Sequence, residues 1–192
     1  MEHNRVEIYR ILAAAMSEPD QEFYRWLKKD GVEAFKELGV NLGEIPNLPE
    51  LSQSYQEYFG LYAPKVSLIE SVYRKWSRDP EVDPVMANSR GFLMSDHALH
   101  VAALYEKAGL IIPEDFSGMP DHLVLELEFM AMLVENNHPG QKDFLSDHLS
   151  FIEQVVEKAR EENLQGIYRE IVEFLGKFYQ EEKNLILGEK GI

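Results

Sequence analysis

Three Asp-His pairs stand out in this chain: Asp96-His97, Asp121-His122 and Asp147-His148. A carboxylate beside an imidazole can orient it for metal ligation or tune it for proton transfer. The spacing argues against a metal. Neighbouring residues on a helix point about 100° apart and do not converge on one ion, and bundle di-metal sites need a Glu-x-x-His on each of two helices. Only Glu135-Asn136-Asn137-His138 has that pattern, and Pro139 puts its imidazole at a helix end. No metal is therefore expected. His97 shares an apolar face with Leu93 and Val101, which suits a hydrogen-bonded core or pocket histidine, and His148 is read the same way.

The middle pair is the most informative. Pro120-Asp121-His122-Leu123 runs into Val124-Leu125-Glu126-Leu127-Glu128-Phe129-Met130-Ala131-Met132-Leu133-Val134. Pro120 suits a first helical turn, where its missing N–H costs nothing. Asp121 supplies negative charge to unpaired first-turn N–H groups. Apolar residues occupy both faces of the segment, so a helix buried nearly all round is expected. The residues leave two roles open for this pair. In one, Asp121 caps the helix and His122 pairs with Glu126 a turn later; in the other, both line a pocket. Met119, Met130 and Met132 fill gaps or form an adaptable surface.

The elements positioning these residues are helical throughout, with no stretch alternating as strands do. The pattern predicts a first helix with Ile8, Ile11, Leu12, Ala15 and Met16 inward, ending before Pro19. Two short helices follow near 20–29 and 31–38, broken by Asp30-Gly31. Asn47-Leu48-Pro49-Glu50 has the form of a capping box opening a helix through Phe59. Residues 61–88 contain Pro64, Pro80 and Pro84 and form a long loop or hinge, the one plausible internal boundary. Four long helices then cover roughly 89–108, 121–136, 142–161 and 164–187. The fold class is an all-α, single-domain helical bundle spanning 1–192.

Composition narrows the function. The chain has 192 residues, no cysteine and a formal charge of −15. Disulfides and thiol chemistry are excluded, and nucleic acid is a poor partner for so acidic a surface. A basic peptide is a natural one. No apolar run approaches the ~20 residues of a membrane span, and Met1-Glu2-His3-Asn4-Arg5 leads into a polar helix, so a soluble cytoplasmic protein is expected. There is no Gly-rich phosphate loop, Gly-x-Ser-x-Gly elbow or His-Glu-x-x-His.

Several segments in order resemble the TorD/DmsD/NarJ family of cytoplasmic chaperones that mature molybdenum-containing redox enzymes. They are Tyr55-Gln56-Glu57-Tyr58-Phe59, Glu70-Ser71-Val72-Tyr73, Tyr105-Glu106-Lys107-Ala108-Gly109-Leu110, Pro120-Asp121-His122-Leu123 and Leu145-Ser146-Asp147-His148-Leu149. The resemblance is clearest over roughly 55–150 and implies a TorD-like helical bundle without enzymatic activity or bound cofactor. It implies binding of the twin-arginine signal peptide of a molybdopterin oxidoreductase, with help in cofactor insertion, assembly and export. Asp121 and His122 would line the peptide cleft, with Pro120, Glu126, Glu70, Ser71, Tyr73 and Trp76 around them; Trp76 is either core or an aromatic wall. A NarJ-like chaperone for a non-exported, membrane-bound reductase is one alternative, and a helical enzyme using an Asp121/His122 pocket another. A monomer with a minor dimer, swapped at the 61–88 hinge, is expected.

Overall fold

The computed structural model describes residues 2–62 and 64–188, with side chains from Arg5 onward. Among these residues the regular structure is helical, apart from one isolated antiparallel bridge between Ile69 and His122. The helices are α1 (Glu2–Ala15), α2 (Gln21–Trp26), α3 (Val32–Glu37), α4 (Leu48–Phe59), α5 (Glu70–Tyr73), α6 (Pro84–Ala87), α7 (Asp96–Lys107), α8 (Leu123–Glu135), α9 (Gln141–Asp147), α10 (Ile152–Glu161) and α11 (Gly166–Leu187). The chain divides into two compact units: Met1–Tyr9 with Leu68–Phe151, and Arg10–Ser67 with Ile152–Ile192.

The second unit has an aromatic centre. Tyr55, Phe59 and Tyr168 meet at ring separations of 5.5–5.8 Å, and the Tyr55 hydroxyl donates to the Met16 carbonyl at 3.1 Å. Burying each such side chain contributes roughly 1.5–3 kcal/mol. The capping box at Asn47 forms as its sequence implies, with Glu50 N–H donating to Asn47 Oδ1 and Asn47 N–H to Glu50 Oε2. Asp30-Gly31 does not break the chain into separate helices. A π-turn over Leu27–Gly31 joins α2 to α3, and Gly31 gives room to the Trp26 indole, since a Cβ there would lie 2.9 Å from the ring.

In the first unit, α8 is buried nearly all round, from Leu123 to Val134. Its Phe129 packs edge-on against Tyr105 of α7 and Phe144 of α9, with centroids 5.0 and 4.9 Å apart. Three helix boundaries differ from the sequence expectation. α7 begins at Asp96 rather than near 89, because Gly91 and Met94 have positive φ and Ser95 caps the helix. α8 begins at Leu123, so Pro120 lies in the turn ahead of it rather than in its first turn. The helix expected over 142–161 is interrupted at His148 and by a 3-10 turn over Leu149–Phe151.

Candidate functional site

The site is built where the chain ahead of α5 runs antiparallel to the approach to α8. Leu123 N–H donates to the Leu68 carbonyl at 2.7 Å, and Glu70 N–H to the Asp121 carbonyl at 3.0 Å. α5 has only four residues, and Ile69 at its N-cap provides no side-chain acceptor. Asp121 takes that role from fifty residues away: its Oδ2 accepts from Ser71 N–H at 2.7 Å and from the Ser71 hydroxyl at 2.5 Å. The Ser71 and Ser95 hydroxyls are 2.8 Å apart, and Ser95 caps α7 through His97 N–H. One carboxylate thus fixes α5 and, through two serines, the start of α7.

Asp121 is therefore not the cap of its own helix. His122 is, with Nδ1 accepting from Val124 N–H at 3.3 Å. The expected His122–Glu126 pair does not form: His122 packs edge-on against Phe116, and Glu126 lies against Glu70 instead. Burial holds His122 down at about 4, so the ring is neutral at physiological pH.

Glu70 is wholly buried and carries the centre of a second network. Its Oε2 accepts from His148 Nδ1 at 2.9 Å; its Oε1 accepts from Arg74 Nε at 2.8 Å and faces His97 Nδ1 at 3.3 Å. Arg78 Nη2 lies 3.1 Å from His97 Nε2. A guanidinium only donates, so Nε2 accepts and Nδ1 carries the proton towards Glu70. His148 Nε2 meets His100 Nδ1 at 2.9 Å, and Arg74 also donates to the Ser150 hydroxyl at 2.6 Å. Burial alone would raise the Glu70 carboxyl, but the His148 and His97 hydrogen bonds outweigh it and hold it at about 2. Glu126 behaves in the opposite way. Burial, then the Glu70 and Asp121 charges, push it well above the usual carboxylate range, which favours its protonated form.

The sequence-predicted residues divide accordingly. Glu70, Ser71 and Asp121 come together, with Glu126 beside Glu70, but these carboxylates are closed off from solvent. Direct contact between Asp121 and a client is not open in this conformation. Pro120 is buried; Tyr73 is half-buried and leans on Phe151 at 5.9 Å; Trp76 is half-buried. Sequence reasoning missed the convergence of His97 and His148 on Glu70. It also missed Arg74, Arg78, Ser95 and His100. The Asp-His pairs were the available signal, but the imidazoles of two different pairs meet, with a carboxylate from a third segment. Asp96 itself turns elsewhere, accepting from Arg78 N–H at 2.6 Å and the Ser77 hydroxyl at 2.9 Å.

Those bonds pin the chain after α5 to the start of α7. Trp76 N–H donates to Ser89 O, Ser77 N–H to Ala87 O, Gly91 N–H to Val72 O and Asp96 N–H to Trp76 O, at 2.9–3.1 Å. The pinned segment exposes Val85 (79%), Met86 (55%), Phe92 (58%), Leu93 (47%) and Leu99 (54%). Isolated exposed apolar residues need no explanation; with Met94 (38%), six large ones fall within fifteen positions here. The site is thus a buried charge network with exposed apolar residues along the chain pinned to it.

Among the described residues no helix is long and apolar enough to cross a membrane. Comparison with curated proteins finds no match. Among solved structures, a proposed redox enzyme maturation protein from Archaeoglobus fulgidus has the same fold, with a TM-score of 0.58 at 18% identity over 92% of this chain and 93% of that one. A family model described as "Nitrate reductase delta subunit" matches residues 27–165. With most of its length so matched, and with the fold and signature segments described above, the chain belongs to the nitrate reductase delta subunit family, a family of redox enzyme maturation chaperones rather than of catalysts.

Proposed function

We propose that this protein is a cytoplasmic chaperone that binds the twin-arginine signal peptide of a molybdopterin oxidoreductase and holds the apoenzyme until its cofactor is inserted and export can follow. The observation that carries this reading is the exposure of Val85, Met86, Phe92, Leu93 and Leu99 along one stretch of chain that main-chain hydrogen bonds fix in place. A signal peptide has an apolar segment behind its arginines, and such a surface is what that segment needs. Tyr73 and Trp76 supply aromatic edges on the same stretch of chain. Exposed Asp79, Glu81 and Asp83 are the carboxylates open to the arginines, and the −15 charge of the chain raises the encounter rate with a basic peptide. Glu70, Ser71, Pro120, Asp121, His122 and Glu126 act from beneath, as the frame that sets the position of this surface. The working form is a monomer, with a minor swapped dimer exchanging at the 61–88 segment.

The test is fluorescence anisotropy with a labelled peptide carrying an arginine pair and an apolar segment. Binding weakens as salt rises, because exposed charges are screened beyond about 10 Å at 0.1 M. It weakens again when the arginines become lysines, which lack the bidentate fork. Phe92→Asp with Leu99→Asp, both at exposed positions, abolishes the salt-resistant part while the melting temperature holds. Affinity indifferent to all three changes refutes the reading.

A further inference from the structure

We propose that Glu70, His97 and His148 form a binding site for a divalent cation of the zinc class, a site separate from the peptide surface and independent of that reading. The three residues come from α5, from the first turn of α7 and from the end of α9, and all are buried. One donor atom from each lies within 4.8 Å of the others. His97 Nδ1 is 3.3 Å from Glu70 Oε1 and His148 Nδ1 is 2.9 Å from Glu70 Oε2. Two ligands on a tetrahedral ion with bonds of about 2.0 Å lie roughly 3.3 Å apart, so little movement is needed. Two imidazoles and one carboxylate are a zinc donor set with one position left open.

Two further features point to a cation. His148 already has the outer partner that a ligating histidine needs, because its Nε2 meets His100 Nδ1 at 2.9 Å. Glu126 sets a second, fully buried carboxyl group against Glu70. Its carboxyl group can hydrogen-bond a water on the fourth position of the ion. Binding requires no net loss of protons from the imidazoles. In each ring the proton leaves Nδ1, which takes the metal, and appears on Nε2. On His148 the new Nε2–H donates to His100. On His97 it faces Arg78, whose guanidinium is 3.1 Å away and must withdraw; Arg78 is exposed and free to do so. Arg74, on Glu70 Oε1 at 2.8 Å, is the second competing cation.

The experiment uses the full chain, stripped with chelator and dialysed, then loaded separately with zinc and cobalt. Metal content is read by elemental analysis, cobalt geometry by visible absorption and stability by thermal denaturation. One equivalent of zinc, a raised melting temperature and the intense visible bands of four- or five-coordinate cobalt are expected. His97→Gln and His148→Gln each lose the equivalent, and His100→Ala weakens binding about tenfold or more. Arg78→Ala tightens it several-fold by removing the donor that holds His97 in the wrong tautomer. Should the glutamine variants not fold, the cobalt spectrum of the native chain and the Arg78→Ala and His100→Ala affinities decide. No stoichiometric uptake by the native chain overturns the proposal; so do weak octahedral cobalt bands, or full uptake by folded His97→Gln,His148→Gln.

Discussion

Replacing His122 by Asn changes the pH dependence of stability by an amount the structure sets. Burial holds this imidazole near 4 in the fold against an ordinary value of 6.5. A group whose folded value is depressed contributes stability above its unfolded value and loses it as pH falls towards the folded value. At pH 7.5 neither form of His122 is protonated, and nothing is lost. At pH 5 the unfolded ring is almost wholly charged while the folded ring is about nine-tenths neutral, and the linkage integral amounts to about 2 kcal/mol of lost stability. Asp121 and Glu126 work against this. Burial raises both, so their folded forms keep protons that the unfolded chain releases, and acid favours the fold through them. The wild-type profile alone is therefore ambiguous, and the difference between two profiles is the useful quantity. Asn caps a helix as well as any residue and does not titrate, so the variant keeps the Val124 N–H partner and removes only the proton linkage. It starts lower at pH 7.5, having lost the Phe116 contact at 5.0 Å. Urea unfolding followed by helical circular dichroism at pH 7.5, 6 and 5 gives both curves. The stability gap between wild type and variant should narrow by about 2 kcal/mol across that range. A gap constant to within about 0.5 kcal/mol refutes the assignment of His122 as a buried neutral cap.

Asp121→Ala leaves the Ser71 N–H buried without an acceptor and removes a charge-assisted contact, a loss of about 2–3 kcal/mol by chemical denaturation. Asp121→Asn costs less, about 1 kcal/mol, since one oxygen still accepts from Ser71 while the new NH2 has no acceptor where Oδ1 now stands unpartnered; equal effects of the two variants contradict this geometry. Gly176→Ala gains about 1 kcal/mol of helix propensity but puts a Cβ 2.8 Å from Val156 Cγ2, and overpacking of about 1–3 kcal/mol should outweigh it. Adding Val156→Ala should recover part of the lost melting temperature, and simple additivity of the two substitutions would show that they do not meet.

The local layer of this fold is legible in the sequence. The Asn47-Leu48-Pro49-Glu50 box forms because its two hydrogen bonds close within four residues, and the two-sided apolar pattern of 123–134 does correspond to an all-round buried helix. The candidate site was legible only as a list of residues. Glu70, Ser71 and Asp121 were named, but the bonds between Ser71 and Asp121 span fifty positions and that between Glu70 and His148 spans seventy-eight. Periodicity reports which face of a helix is apolar, not which other segment lies against it. The two residues of each Asp-His pair diverge, as helix geometry requires, and the imidazoles of two different pairs meet at Glu70. Because each pair diverges, Asp96 is free to clamp the Ser77-Arg78 loop while His97 turns towards Glu70. The helix interruption at His148 is of the same kind, since its ring is engaged with Glu70 and His100.

Burying Glu70 with two histidines and an arginine is a poor way to gain stability, since apolar residues of similar volume commonly do as well or better. What such a network supplies is position. α5 has four residues and could not persist as an isolated helix, yet it must hold Trp76 and the loop behind it in one place. Burial of Val85, Met86, Phe92 and Leu93 would be favourable by itself, and the hydrogen-bonded segment keeps them exposed. Asp121 and Ser95 fix the two ends of the segment, Glu70 and Arg74 tie it to His148 and Ser150, and Asp96 fixes its middle. Directional, desolvated bonds resist sliding in a way that apolar contacts do not. On the proposed function, the client surface has to stay apolar, exposed and fixed at once, and the buried charge network is what would hold it so.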